Sequence, residues 1–207
     1  DDARRYLEAY GQAIEAIGRA SAGRSLLRGP GISIKLSALH PRHCRAQAQR
    51  VHDELYPRLR HLALLACGYD IGLNIDAEES DRLVLSLELL ERLCAEPALR
   101  DWNGIGFVVQ AYQKRCPAVI EHLIDLGVFT DTLHCAHSIL TNDSEISAYA
   151  AHRVSVCHCA KGNYAIGAAP ALRMWRRGVL VGLDPRAPQP DMLTCATELA
   201  RAAVRGE

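Results

Sequence analysis

Six short apolar runs in this sequence end in a side chain able to do chemistry, or carry one near the end. Lys35 interrupts Ile32-Ser33-Ile34-Lys35-Leu36, Asp76 closes Ile71-Gly72-Leu73-Asn74-Ile75, and Gln110 closes Ile105-Gly106-Phe107-Val108-Val109. His134, His158 and Asp184 close three later runs. A lysine ammonium is a compact charge suited to an anionic carboxylate. An amide can satisfy the polar edge of a ring, and carboxylates and imidazoles are metal ligands. One strand-end aspartate is as readily the N-cap of the next helix. Six such groups in succession describe a ring of the kind a cofactor or substrate site requires.

The elements that must hold these groups alternate along the chain. Tyr6, Ala9, Tyr10, Ile14 and Ile17 recur at helical spacing and predict a helix over 3–20. After the break at Gly29-Pro30-Gly31 a strand is expected over 32–36, then a helix over 45–67 that contains Pro57 and stops at Gly68. Strands over 71–76 and 105–110 are each followed by a helix, over 79–93 and 117–126, with Pro117 in the first turn of the second. The rhythm continues with a strand over 129–135 and a helix opened by Asn142-Asp143-Ser144-Glu145, which has capping-box form and runs to about 151. A strand over 153–159, a helix over 169–177 stopped by Gly178, a strand over 179–183 and a helix over 191–204 complete the series. Six strand-helix units imply an α/β fold with a parallel sheet, either barrel-like or open and doubly wound. In such folds ligands collect at the carboxyl ends of the strands.

Composition narrows the function classes. With 24 basic and 24 acidic residues the formal charge is zero, which leaves no global electrostatic case for nucleic acid or an anionic membrane. No apolar run reaches the roughly 18–20 residues of a membrane span. Cys44, Cys67, Cys94, Cys116, Cys135, Cys157, Cys159 and Cys195 sit within apolar runs of a chain of ordinary domain size. They read as reduced, mostly buried thiols, and with the charged opening Asp1-Asp2-Ala3-Arg4-Arg5 they point to the cytoplasm. The first residue is not Met, so a fragment is expected.

Three long motifs carry a resemblance. Gly29-Pro30-Gly31-Ile32-Ser33-Ile34-Lys35-Leu36-Ser37-Ala38-Leu39-His40-Pro41-Arg42, then Asp70-Ile71-Gly72-Leu73-Asn74-Ile75-Asp76-Ala77-Glu78-Glu79, then Trp102-Asn103-Gly104-Ile105-Gly106-Phe107-Val108-Val109-Gln110-Ala111-Tyr112-Gln113-Lys114-Arg115 occur in that order. Residues 1–126 thereby resemble the proline dehydrogenase barrel of bifunctional proline utilization A proteins. The resemblance implies an FAD-dependent oxidation of proline to pyrroline-5-carboxylate. It also implies that Lys35 helps bind the substrate carboxylate, that Asp76 lies beside the substrate and that Gln110 hydrogen-bonds the flavin ring. After about Leu126 the pattern stops. The family's strand reading Arg-Leu-Val-Lys-Gly-Ala-Tyr-Trp and its late Tyr-x-x-Arg-Arg helix have no match in this sequence.

Residues 128–204 resemble something else. Leu133-His134-Cys135-Ala136-His137, Val154-Ser155-Val156-Cys157-His158-Cys159-Ala160-Lys161-Gly162-Asn163, Gly167-Ala168-Ala169-Pro170 and Arg177-Gly178-Val179-Leu180-Val181-Gly182-Leu183-Asp184 resemble the last three units of a deaminase or chlorohydrolase amidohydrolase. That resemblance implies a zinc ion, with Asp184 as carboxylate ligand and base and His134 orienting the metal-bound water. The family's early His-x-His strand is missing. A site rebuilt from His134, His137, Cys157, His158 and Cys159 is a further option, against which Cys157 and His158 alternate across a strand.

The expected architecture is therefore an α/β, TIM-barrel-like but incomplete fold of about six strand-helix units. It joins a segment over 1–126 to one over 127–207 in one combined domain, and exposed sheet edges would allow a homo-oligomer. The leading expectation is a proline dehydrogenase-like flavin module, incomplete or inactive, with proline as its small-molecule substrate. The others are a metal-dependent amidohydrolase fragment and a non-catalytic chimeric or truncated barrel.

Overall fold

A computed structural model describes residues 2–24, 26, 29–110, 113–128, 134–136, 138, 141–158 and 171–183, without the side chains of 134–136, 157, 158 and 183. The chain forms two compact units, Asp1–Val128 and Phe129–Glu207.

In the first unit the apolar spacing of the opening residues winds α1 (Asp2–Ser21), whose Ile14, Gly18 and Ser21 are buried. Strand β1 (Ile32–Ile34) is shorter than the alternation of 32–36 suggests. Leu36 and Leu39 lie three residues apart, and both are fully buried once the chain turns into the short helix α2 (Leu36–Leu39). Helical spacing wins there over period-2 spacing, because it buries two leucines on one side. Lys35 thus follows β1, as the extended residue that caps α2, instead of lying within a strand.

The helix expected over 45–67 is also subdivided. A 3-10 turn (Arg45–Gln47), the helical turn α3 (Ala48–Arg50) and a π-helical turn (Val51–Leu55) lead into α4 (Tyr56–Gly68). In a regular helix Pro57 would press its ring on the Asp53 carbonyl and have no N–H to offer it. Here the Tyr56 N–H reaches back five residues to the Val51 carbonyl, which widens the turn just ahead of the proline.

Strands β2 (Leu73–Ile75) and β3 (Ile105–Phe107) alternate with α5 (Leu83–Cys94) and α6 (Cys116–Asp125). The expected helix start at Glu79 is a turn, closed by the Arg82 N–H on the Glu79 carbonyl, and α5 begins after it. Pro117 stands in the first turn of α6. The three strands are parallel in the order β1-β2-β3, with Ser33 opposite Asn74 and Asn74 opposite Gly106. Register divides the sheet into two faces. Ile34, Leu73 and Ile75 are fully buried, alongside Leu59, Leu62, Leu85 and Leu89 of α4 and α5. The opposite face carries Ser33 and Asn74, both exposed. A Cβ on Gly106 would overlap the Asn74 amide, so only glycine leaves that side chain its place across the sheet.

The second unit repeats the plan. Strands β4 (His134–Ala136), β5 (Ser155–His158) and β6 (Leu180–Leu183) are parallel and in sequence order, with α7 (Asp143–Ala151) and α8 (Ala171–Arg176) between them. The capping box is present: Asn142 accepts from the Ser144 and Glu145 N–H groups, and Glu145 accepts the Asn142 N–H. Gly178 follows α8 with φ of +83°, a conformation open to glycine at little cost. Ile146, Val156, Met174 and Val179 form the buried cluster. The helix expected over 191–204 lies outside the described residues. The fold is mixed α/β, and the strands pair, among the described residues, as two sheets of three.

Candidate functional site

The site in the first unit follows from strand parity. Lys35 is two residues past Ser33, Asp76 two past Asn74, and Gln110 four past Gly106, so a continued pleat puts all three on the polar face. The backbone sustains that pleat beyond the strands: the Asp76 N–H donates to the Ile34 carbonyl and the Val108 N–H to that of Ile75, each at 2.9 Å. Lys35 is itself extended, at φ −103° and ψ 127°. Its N–H donates to the Tyr10 hydroxyl of α1, which anchors the end of β1.

Two of the three expected residues meet directly. Lys35 Nζ donates to Asp76 Oδ2 at 2.7 Å, while Asp76 Oδ1 accepts the Ala77 N–H. The bond to Asp76 holds the Lys35 ammonium above the usual lysine range, and the charge of Glu78 adds to this. Gln110 joins through a neighbour. Its Nε2 donates to the Glu78 carbonyl at 3.3 Å, and its Oε1 accepts from Gln113 Nε2.

Glu78 is the residue that sequence reading missed. Its carboxylate is buried, with Oε1 accepting the Ser37 N–H at 2.9 Å and Oε2 accepting from Arg82 Nη1 at 3.1 Å. Beneath it lies His43, also buried, with Nδ1 at 4.0 Å from Glu78 Oε1. That separation is too long for a hydrogen bond, and among the described residues neither ring nitrogen of His43 has a hydrogen-bond partner. Burial pushes the His43 imidazole below its usual range, toward the neutral form. The one clue in the sequence was the Glu78–Arg82 spacing of four, but Glu79 at spacing three competes for the same arginine and does pair with it.

A cleft at these strand ends is lined by Asp76, Glu78, Val108, Gln110 and Gln113 among others and holds about 20 Å³ of free space. That suffices for roughly one water. A larger ligand is offered the open polar face instead. The residues there fit one part of a flavin: an exposed polar sheet face on which the Asn74 amide lies over Gly106, with a second oriented amide, Gln110, at its edge.

The sites expected in the second unit are not assembled among the described residues. His134 is the first residue of the described strand β4, not its closing residue, and pairs with Ser155 of β5. His158 ends β5 as expected. Asp184, His137 and Cys159 lie outside the described residues. Among the described residues no three His, Cys, Asp or Glu side chains are grouped to hold a metal ion. No helix there is long and apolar enough to cross a membrane. Cys44, Cys67, Cys94 and Cys116 are free thiols, and burial pushes the last three above the usual thiol range, away from the reactive thiolate.

Comparison with known proteins converges on one group. Residues 1–131 match the family model for proline dehydrogenase. Over 126 residues the chain is 70% identical to the bifunctional protein PutA of Escherichia coli (strain K12) and 62% identical to that of Rhizobium meliloti. Each match covers 61% of this chain and 10% of the relative, so the chain spans about a tenth of the length of these curated proteins. Among solved structures, a bifunctional proline utilization A protein superimposes with TM-score 0.73 and 31% identity, over 98% of this chain and 24% of that one. A mutant proline utilization A of Bradyrhizobium japonicum gives TM-score 0.69 and 33% identity over 88% of this chain and 22% of that one.

Proposed function

The chain belongs to the proline dehydrogenase family, and we propose that its first unit forms the substrate-carboxylate and flavin-edge wall of an FAD-dependent proline oxidation site. The observation that carries this reading is the Lys35–Asp76 contact just past the carboxyl ends of two adjacent parallel strands, with Gln110 three residues past the third and bonded to the Glu78 carbonyl. Bound FAD would supply the redox chemistry by accepting two electrons as proline becomes pyrroline-5-carboxylate. The residues of this chain bind and orient. The Lys35 ammonium has three N–H donors, of which Asp76 takes one, so it can hold a carboxylate while still paired. Asp76 keeps it charged and fixes its direction beside the substrate. Gln110, held by Glu78 and Gln113, presents its amide to the ring edge.

The proposal extends to the architecture. The six parallel strands belong to a TIM-barrel-like fold, incomplete in this chain, with the polar face of β1-β2-β3 toward its interior. In a closed parallel barrel the inward face is filled by side chains. Here Ser33, Asn74 and Gly106 leave that face polar and open. Self-association through the edges of the sheet and a cytoplasmic location belong to the same proposal. The amidohydrolase-like reading of residues 128–204, with zinc on Asp184 and His134, has no observation among the described residues in its favour.

The test is a titration of the full chain with FAD, followed by proline. Wild-type chain is expected to retain flavin and to respond to proline. Lys35→Ala should raise the proline concentration for half-response about 10- to 100-fold, the effect of one charged hydrogen bond, with flavin content unchanged. A wild-type chain that retains no flavin, or a mutant with equal proline affinity, contradicts the proposal.

A further inference from the structure

We infer that Glu78 is the positioning residue of this site: its carboxylate pins the turn that Lys35 caps, and its backbone carbonyl aims the Gln110 amide. The inference rests on the proposed flavin and proline site, and it concerns a residue outside the three that the family resemblance brings forward.

Lys35 belongs to the end of β1 and Gln110 to the segment after β3, so something in the β2–α5 connection must set their separation. Glu78 touches both sides. On the β1 side its Oε1 accepts the Ser37 N–H, two residues after Lys35, and so fixes the first turn of α2. On the β3 side its carbonyl accepts from Gln110 Nε2. The neighbouring Glu79 cannot substitute, since its carboxylate is 64% exposed against 8% for Glu78.

A buried carboxylate needs compensation. Arg82 supplies it at 3.1 Å, and the Ser37 N–H adds a second contact. His43 does not, being neutral by burial and beyond hydrogen-bond reach. Asp76 and, through its charge, Glu78 both hold the Lys35 ammonium above the usual lysine range.

Two variants of the full chain separate these roles. Glu78→Ala removes the acceptor for Ser37 and one of the two carboxylate partners of Arg82, whereas Glu78→Gln keeps an oxygen for Ser37 and removes only the charge. Without any ligand, Ser37 amide hydrogen exchange should rise about 10-fold in Glu78→Ala and stay within about 3-fold of wild type in Glu78→Gln. Acylation of Lys35 by a small amine-reactive ester at fixed alkaline pH should quicken about 3-fold in Glu78→Gln, because the ammonium loses its second nearby carboxylate. FAD affinity should fall about 10-fold in Glu78→Ala, because the turn that carries the Glu78 carbonyl loses its side-chain bonds to Ser37 and Arg82 and no longer holds that carbonyl on Gln110.

Unchanged Ser37 exchange in Glu78→Ala, or unchanged Lys35 acylation in Glu78→Gln, overturns the inference. FAD bound equally by wild type and Glu78→Ala overturns it while leaving the proposed function standing. Failure of the wild type itself to bind FAD removes the proposed function, and the exchange and acylation results still decide for or against Glu78. Should Glu78→Ala not fold, Lys35 acylation in Glu78→Gln decides alone.

Discussion

The two units share a plan of three parallel strands with helical crossovers, yet they bury it differently. In the first, Ile34 and Ile75 are fully buried immediately before Lys35 and Asp76, and Leu59, Leu62, Leu85 and Leu89 of α4 and α5 are buried with them. In the second, the described cluster is Ile146, Val156, Met174 and Val179, while Trp175 is 66% and Leu180 73% exposed. The difference teaches that a strand-end site depends on what lies one residue earlier. A polar side chain keeps a fixed direction when the apolar residue before it is locked in a packed core.

The largest effect that would break this comparison is a cavity in the first core. Leu73→Ala, at a fully buried position of β2, should cost about 2–5 kcal/mol in urea unfolding. It should also loosen the Lys35–Asp76 pair, seen as faster Lys35 acylation. If the transition of the second unit shifts by the same amount, the two units do not unfold separately.

A middle-sized effect is electrostatic and belongs to the first unit. His43 has its imidazole pKa lowered by burial, so the unfolded chain binds a proton that the folded chain refuses. The stability from a neutral His43 is fully present above the ordinary imidazole value near 6.5 and is lost as pH falls below it. The loss should run at up to about 1.4 kcal/mol per pH unit. Urea midpoints of wild type and His43→Gln between pH 7 and 5 should diverge accordingly, and parallel curves would remove His43 as the source.

The smallest effect sits in the second unit. Asn142→Ala removes the acceptor of the Ser144 and Glu145 N–H groups and should cost about 1 kcal/mol, read as faster amide exchange in the first turn of α7. No change there would mean that the helix start is set by packing of Ile146 instead of by its cap.

The parts of the fold legible in the sequence were those written by local rules. The Asn142–Glu145 capping box, Pro117 at the start of α6 and Gly178 past α8 each act within a few residues. Where two periodicities overlap, reading failed: Ile32-Ser33-Ile34-Lys35-Leu36 alternates like a strand, while Leu36 and Leu39 also keep helical spacing, and burial decided for the helix. Lys35 and Asp76 were singled out by their motifs, and the contact between them follows from shared parity. Glu78 was not, because nothing local distinguishes it from Glu79; only the fold turns one carboxylate inward toward Ser37 and leaves the other in solvent.

The widened turn at Val51–Leu55 has a consequence for how the chain length could change. Such a turn holds one spare residue compared with an ordinary helical turn. Deleting that residue would close the helix into a continuous rod and leave Leu59, Leu62 and Ala66 at their present angle to the sheet. The shortened rod would, however, set Pro57 against an ordinary carbonyl ladder. Length and proline are coupled here: the deletion is tolerable only together with a residue at position 57 that can donate an N–H.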